Sequence, residues 1–531
     1  MSTEVSNDGQ VSPEYPTKQP TSLYMLFFAE MWERFSFYGM RALLTLYLTQ
    51  QLFVDLMDPE KGAKAIGIYA AYGALVYTTP FFGGLLADKL LGFRKSVVIG
   101  AVFMTIGHLV MAIETEFFLY IALSFLIIGN GFFKPSVSSI VGGLYGPGDP
   151  RRDGGFTIFY MGINLGAALA PIACGVIANM WGWSYGFALA GLGMIAGLIV
   201  FWRGQHKLGE VNGIPPSMEK LQAKVMGLSR EILVWLGGFT AVVAFALLVR
   251  YYEVTHYILG PFVILVLGYI LVTALRSEKV ERERMFVILI LLVFTTLFWT
   301  FFEQAGSSIT LFTEANVDRD FFGLFNVPTT VFQSFNPLFI IILGPLFAGM
   351  WLSLNKKGKE PSTPLKFALG IFQLGVGFLI MVFGVTFMTE ENNVVMIPMI
   401  FVVLGYLLHT TGELCLSPVG LSMVTKLAPK KIGAMVMGAW FLSSAAAHMI
   451  GGIIATMTTN DSEEGVALGQ KAVNAGYITE TAGLDEALLK SYDGMVTYVD
   501  IFSSIGWVAL ASGVLLLLLV PTIRKWMHGV S

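Results

Sequence analysis

The sequence predicts an all-α protein that crosses a membrane many times, and three observations carry that expectation. Hydrophobic side chains make up 55% of the 531 residues and charged ones only 13%, about half the charged share of a soluble domain. Apolar runs long enough to cross a bilayer recur along the chain, separated by short polar breaks. Between Asp153 and Arg203 there is no Asp, Glu, Lys or Arg, which two spans joined at Gly182 explain and a water-soluble core does not.

Residues 1–21 are polar, carry Pro13, Pro16 and Pro20, and lack the apolar run of a secretory signal, so a flexible tail is expected there. Spans follow near 22–51, 63–87, 96–113, 117–144, 154–178 and 184–202, an N-terminal six-helix bundle over 22–202. Linkers at 203–284 hold an inserted helix hairpin at about 230–275, with its helices near 230–250 and 257–275. Six further spans, near 285–312, 328–354, 366–388, 394–425, 432–457 and 497–522, form a C-terminal bundle over 285–522. That makes fourteen helices. The segment 458–495, rich in acidic residues, is expected to be a solvated outer loop with short helical pieces, and 523–531 a second tail. With the N-terminus inside, 24 of the 33 Lys and Arg fall on the cytoplasmic side, including Lys356, Lys357, Lys359, Lys430 and Lys431. The excess of basic residues on that side places both termini in the cytoplasm.

The same arithmetic removes several function classes. A formal charge of -3 gives no footing for nucleic acid. Two cysteines, Cys174 and Cys415, both inside apolar runs, support neither a disulfide framework nor a metal cluster. No phosphate-cradling Gly-x-x-x-x-Gly-Lys-Ser/Thr loop, His-Glu-x-x-His pair or Gly-x-Ser-x-Gly elbow occurs. Hence neither ATP hydrolysis nor an enzyme reaction is expected, and no cofactor.

Ionised groups inside a bilayer cost about 2.5–3.5 kcal/mol each on insertion scales, so those that occur there mark a site by default. The first span carries Glu30, Glu33, Arg34 and Arg41, which at about 100° per residue fall on one helix face bordered by Tyr38. Such a stripe either lines an aqueous path or is an ion-paired cluster that fixes packing. Lys134, Glu303 and Glu413 lie deep in later spans, joined by Asn164 and Asn336. Each alone has an equal reading as a helix-packing contact. Together they come from both halves of the chain, which favours one shared central cavity. Four acids against three bases leave one negative charge, so a single added proton neutralises the set. Acids and bases interleaved in this way suit a zwitterion. His409, one turn before Glu413, lies within reach of the site, and Trp299, Trp440 and Phe332 either line a side-chain pocket or pack the core.

Gly83, Gly84, Asp88, Gly92 and Arg94, between the second and third spans, resemble the loop signature of the major facilitator superfamily, whose fold is two six-helix bundles around a central cavity. Several runs narrow the likeness. They are Glu30-Met-Trp-Glu-Arg34, Phe132-Phe-Lys-Pro135, Phe159 to Ala167, Trp299 to Gln304, Gln333 to Pro337, Ser417 to Ser422 and Trp440 to Ser444. In this order they resemble the signatures of the proton-dependent oligopeptide transporter family, bacterial type with an inserted hairpin. The resemblance implies a symporter importing di- and tripeptides with protons by alternating access. It would be a multi-pass protein of the bacterial inner membrane, functional as a monomer and driven by the proton gradient. It further implies that Glu413 meets the peptide's amino end, that Asn164 and Asn336 contact its backbone, and that Arg41 and Lys134 meet its carboxylate. Glu30, Glu33, Arg34 and Glu303 would serve proton coupling. Tyr38, Tyr77, Trp440 and Ser444 match pocket positions. Phe37 stands where many relatives carry Tyr, and Ser136 and Ala167 also depart from the family pattern. The alternative implied by the fold is a carrier of nitrate, a drug or a peptide-like compound.

Overall fold

A computed structural model of the chain describes residues 16–146, 149–209, 212–429, 432–459 and 467–530. Pro13, Lys430, Lys431 and positions 460–466 of the expected outer loop lie outside them, as do the side chains of Ser417, Pro418, Val419, Leu421 and Ser422. The long helices are α1 (Thr21–Tyr47), α2 (Asp58–Leu86), α3 (Phe93–Met111), α4 (Glu116–Gly142), α5 (Arg152–Trp181), α6 (Trp183–Gly204), α7 (Arg230–Arg250), α8 (Tyr252–Arg276), α9 (Lys279–Phe302), α10 (Phe335–Lys356), α11 (Thr363–Phe383), α12 (Ile400–Leu427), α13 (Gly433–Met457) and α14 (Glu486–Trp526).

Among the described residues, 12 helices are long and apolar enough to cross a membrane, and the chain is a multi-pass membrane protein. Two expected spans do not pass that test. In α1 the ionisable residues Glu30, Glu33, Arg34 and Arg41 lower the hydropathy, while in α12 the apolar stretch Ile400–Leu416 ends where the described side chains end.

Local chemistry explains most of the ends. Thr115, Ser229 and Asp485 cap α4, α7 and α14 by accepting backbone N–H groups of the first turn. Gly182, at φ 107, makes the one-residue turn between α5 and α6, a conformation that a side chain would strain. Three boundaries differ from expectation. The last helix begins at Glu486, inside the expected outer loop, because Asp485 caps it there. The span expected near 285–312 breaks into α9, a 3-10 turn at Glu303–Gly306 and a short helix Ser308–Asn316. The start of the expected span 394–425 is instead a strand, Val394–Pro398, pairing with Thr389–Glu391 and Val317–Asp318.

Buried side chains form two large apolar cores. One draws mainly on α1–α6, the other mainly on α9–α14, and a small third core joins α3 and α4 to α7. The two main cores meet where α2 crosses α13 and α5 crosses α10. Close crossings depend on missing side chains. Pro135 has no N–H to give the carbonyl of Gly131, four residues back. Gly83 of α2 lies directly against that carbonyl, and a Cβ there would also stand 2.9 Å from the nitrogen of Phe132. Gly83→Val should therefore push α2 off α4 and destabilise the fold by about 1–3 kcal/mol. Thermal unfolding in detergent reads this, and an unchanged midpoint would contradict the close crossing.

Candidate functional site

A cavity of about 390 Å³ lies between the two main cores, a volume typical of small-molecule sites. Tyr38 and Arg41 of α1, Tyr77 of α2, Lys134 of α4 and Asn164 of α5 line one side. Glu303 after α9, Asn336 of α10, Glu413 of α12, and Trp440 and Ser444 of α13 line the other. The cations thus come from the N-terminal half of the chain and the carboxylates from the C-terminal half. Among the described residues, no group of three or more His, Cys, Asp or Glu could hold a metal ion.

Arg41 ties the two walls together. Its Nη2 pairs with Glu303, 262 residues away, and its Nε donates to the hydroxyl of Tyr69 at 2.7 Å. The guanidinium lies 5.7 Å from the ring centre of Tyr38 and 5.9 Å from that of Tyr69, so cation–π attraction holds it in place. Lys134 is differently placed. Its Nζ sits 4.3 Å above the ring of Tyr77, and among the described residues no carboxylate lies within ion-pair distance of it. Across the cavity, Asn336 donates to Glu413 at 2.8 Å and shares its amide with Thr410 Oγ1 at 3.1 Å. Asn164 donates to the carbonyl of Tyr160, one turn back on its own helix.

The charged stripe of α1 divides in two. Arg41 and Tyr38 face the cavity, but Glu30, Glu33 and Arg34 do not line it and are 2%, 0% and 5% exposed. Arg34 Nε lies 2.9 Å from Glu30 and 2.6 Å from Glu33. The covering helix is α5, where a Cβ on Gly166 would run into the Met31 carbonyl and stand 3.1 Å from Arg34 Cβ. For these three residues an aqueous path gives way to a sealed ion triad. Burial without partners is costly for charges, and Glu30 Oε2, Glu33 Oε1 and Arg34 Nη2 make no hydrogen bond among the described residues.

Of the side chains with two readings, Trp299 borders the cavity. Phe332 is 1% exposed and belongs to the second core. His409 reaches the cavity wall, yet its ring packs 4.7 Å from that of Phe378 and is 1% exposed. Two neighbours of the Arg41–Glu303 pair escape the sequence reading, Tyr69 and His448. The only usable signal for His448 is that it is the one ionisable residue of α13.

Comparison with known proteins decides the family. The family model described as "POT family" matches residues 94–473. The chain is 38% identical to the peptide transporter YePEPT of Yersinia enterocolitica over 456 residues, covering 82% of this chain and 87% of that one. It is 31% identical to dipeptide and tripeptide permease B of Salmonella typhimurium over 513 residues, covering 96% and 97%. The chain belongs to the POT family, the proton-dependent oligopeptide transporters. Its fold resembles that of a crystallised peptide transporter POT, a point mutant in complex with alafosfalin, with TM-score 0.78 and 34% identity over 97% of each chain. This POT-family chain is accordingly a carrier and not an enzyme.

Within this POT-family site the Asn336–Glu413 bond is the simplest to perturb. Asn336→Leu leaves a carboxylate without its donor, and removing one partner of a buried hydrogen bond costs about 1–3 kcal/mol. Peptide affinity should fall roughly tenfold or more, read by competition binding. Unchanged affinity would mean that the amide does not prepare Glu413.

Proposed function

We propose that this chain is a proton-coupled symporter that imports di- and tripeptides by alternating access. The observation that carries the reading is the division of the cavity, with Arg41 and Lys134 on one wall and Glu303 and Glu413 on the other. A short peptide is a zwitterion whose two ends match those walls. Its amine meets Glu413, its carboxylate meets Arg41 and Lys134, and Asn164 and Asn336 reach the backbone between. Tyr38, Tyr77, Trp440 and Ser444 shape the pocket for side chains.

The coupling follows from exchange of partners. When the peptide's carboxylate draws Arg41, Glu303 loses its cation and takes a proton instead. Glu30, Glu33 and Arg34 form the second station for protons, behind the cavity. No cofactor is needed, since the proton gradient supplies the driving force. Thr45 Oγ1 donates to the Gly306 carbonyl at 2.7 Å, and Thr459 lies 2.6 Å from where a Cβ on Gly62 would stand. These contacts join the halves on the side away from the termini and support a cavity facing the terminal side.

The proposed architecture is six helices, a hairpin and six helices, with bundles over 22–202 and 285–522 and the hairpin at about 230–275. The protein would span the bacterial inner membrane, keep both termini in the cytoplasm and work as a monomer. The test is uptake of labelled dialanine into liposomes that hold the purified protein and an inward proton gradient. Accumulation is expected and should collapse with a protonophore; uptake indifferent to the protonophore would end the coupling claim. A carrier of nitrate, a drug or another peptide-like compound is the alternative. It predicts that a panel of dipeptides fails to compete with the transported compound.

A further inference from the structure

His448 lies in the middle of α13, between the two halves, and is 5% exposed. Nothing in the partner exchange described above uses it. Four observations place it. Its Nε2 is 3.9 Å from Glu303 Oε1, on the carboxylate that Arg41 also holds. That nitrogen has no hydrogen-bond partner among the described residues. Its ring stacks on Tyr77 at 5.2 Å and 27°, and Tyr77 also carries the Lys134 ammonium at 4.3 Å. Finally, the ring lies on Gly73 of α2, where a Cβ would stand 2.7 Å from His448 Cγ. Any larger residue at position 73 would displace the imidazole, so the seat depends on that glycine.

The groups that face His448 are few. Glu303 comes from the turn after α9, Tyr69 and Tyr77 from α2, and Arg41 and Lys134 lie beyond them on α1 and α4. Among the described residues, no ionisable side chain of α8 or α12 makes an ion pair or ring contact with it. A buried imidazole with one unsatisfied nitrogen, about 1 Å beyond hydrogen-bond distance of a carboxylate, is poised to pair when that carboxylate loses its first partner.

We propose that His448 is a positioning residue for Glu303, which it holds in the half-cycle when Arg41 has turned to the substrate. This rests on the symport reading given above. The proton balance is simple. One proton enters from the aqueous side and binds His448 Nε2, and the new N–H donates to Glu303. When the peptide leaves, Arg41 recovers Glu303 and the same proton departs to the opposite side. Transported protons thus rest on the imidazole–carboxylate pair rather than on the carboxylate alone.

The experiment uses the full chain in liposomes, with dialanine as probe. His448→Gln keeps a neutral amide near Glu303 but cannot carry a proton. The pH at which driven uptake is half-maximal should move about one unit towards acid, while dialanine counterflow at equal pH keeps its KM within twofold. His448→Lys supplies a permanent cation that holds Glu303 but carries no transported proton, so gradient-driven accumulation should be lost across pH about 5 to 8 while counterflow continues. An unchanged pH midpoint in His448→Gln would overturn the proposal. So would a KM raised in counterflow with the pH profile intact, since that marks a pocket-lining role only. Should neither variant fold, nitrogen NMR of wild-type protein labelled at histidine decides. Saturating dialanine at constant pH should convert one ring to imidazolium, and no conversion would refute the assignment. If wild-type counterflow of dialanine itself is absent, it is the symport reading that fails, independently of His448.

Discussion

Glu303→Gln is expected to abolish gradient-driven accumulation of dialanine while leaving peptide counterflow in place. Glu303 pairs directly with Arg41 and, among the described residues, is the one carboxylate linked to that guanidinium. Gln has nearly the same shape but neither charge nor titratable proton, so Arg41 becomes free for the substrate at all times. The exchange that ties proton entry to peptide entry then has no acid to exchange. The expected loss is large. Each proton moving through 100 mV is worth about 2.3 kcal/mol, which is roughly fifty-fold accumulation of a peptide. Proteoliposomes with an imposed potential should show that factor fall to about one in the variant. Retained accumulation would assign coupling elsewhere, with the Glu30–Glu33–Arg34 triad as the next place to look.

The second large effect concerns recognition. Glu413→Ala removes the carboxylate that Asn336, on the same side of the cavity, orients. A hydrogen bond to a charged group contributes about 1.5–3 kcal/mol, so the affinity for dialanine should fall about ten- to a hundred-fold. N-acetylated dialanine has no ammonium to lose, and its affinity should change far less. Competition against a labelled peptide measures both. An equal loss for the two ligands would show that Glu413 shapes the pocket without reading the amine.

Much of the helix pattern is legible in the residues because apolar length is a local property. The turn at Gly182, the capped start of α4 and the hairpin of α7 and α8 need no distant partner. The misreadings fall where local chemistry competes with apolar length. Glu303 and Gly306 interrupt an apolar run, and the chain makes a 3-10 turn there, where the Glu303 carboxylate pairs with Arg41. Val394–Pro398 is apolar enough to read as the start of a span, yet it pairs as a strand with Thr389–Glu391. At the site, Arg41, Lys134 and Glu413 are conspicuous because a charge in an apolar run is expensive. Tyr69 and His448 carry no such penalty when neutral, and so leave little trace.

From its residues alone, this chain must put its ionisable groups in the middle of a membrane bundle, because the cost of exposing them to lipid is set by side-chain chemistry and by position along a helix. Which of them meet is a different matter. The crossing of α1 with the turn after α9 brings Arg41 to Glu303, and the cover of α5 seals Arg34 with Glu30 and Glu33. Gly73 admits the ring of His448 to the same centre. These pairings depend on how closely backbones approach at particular glycines, a property of helices packed together that no single segment carries.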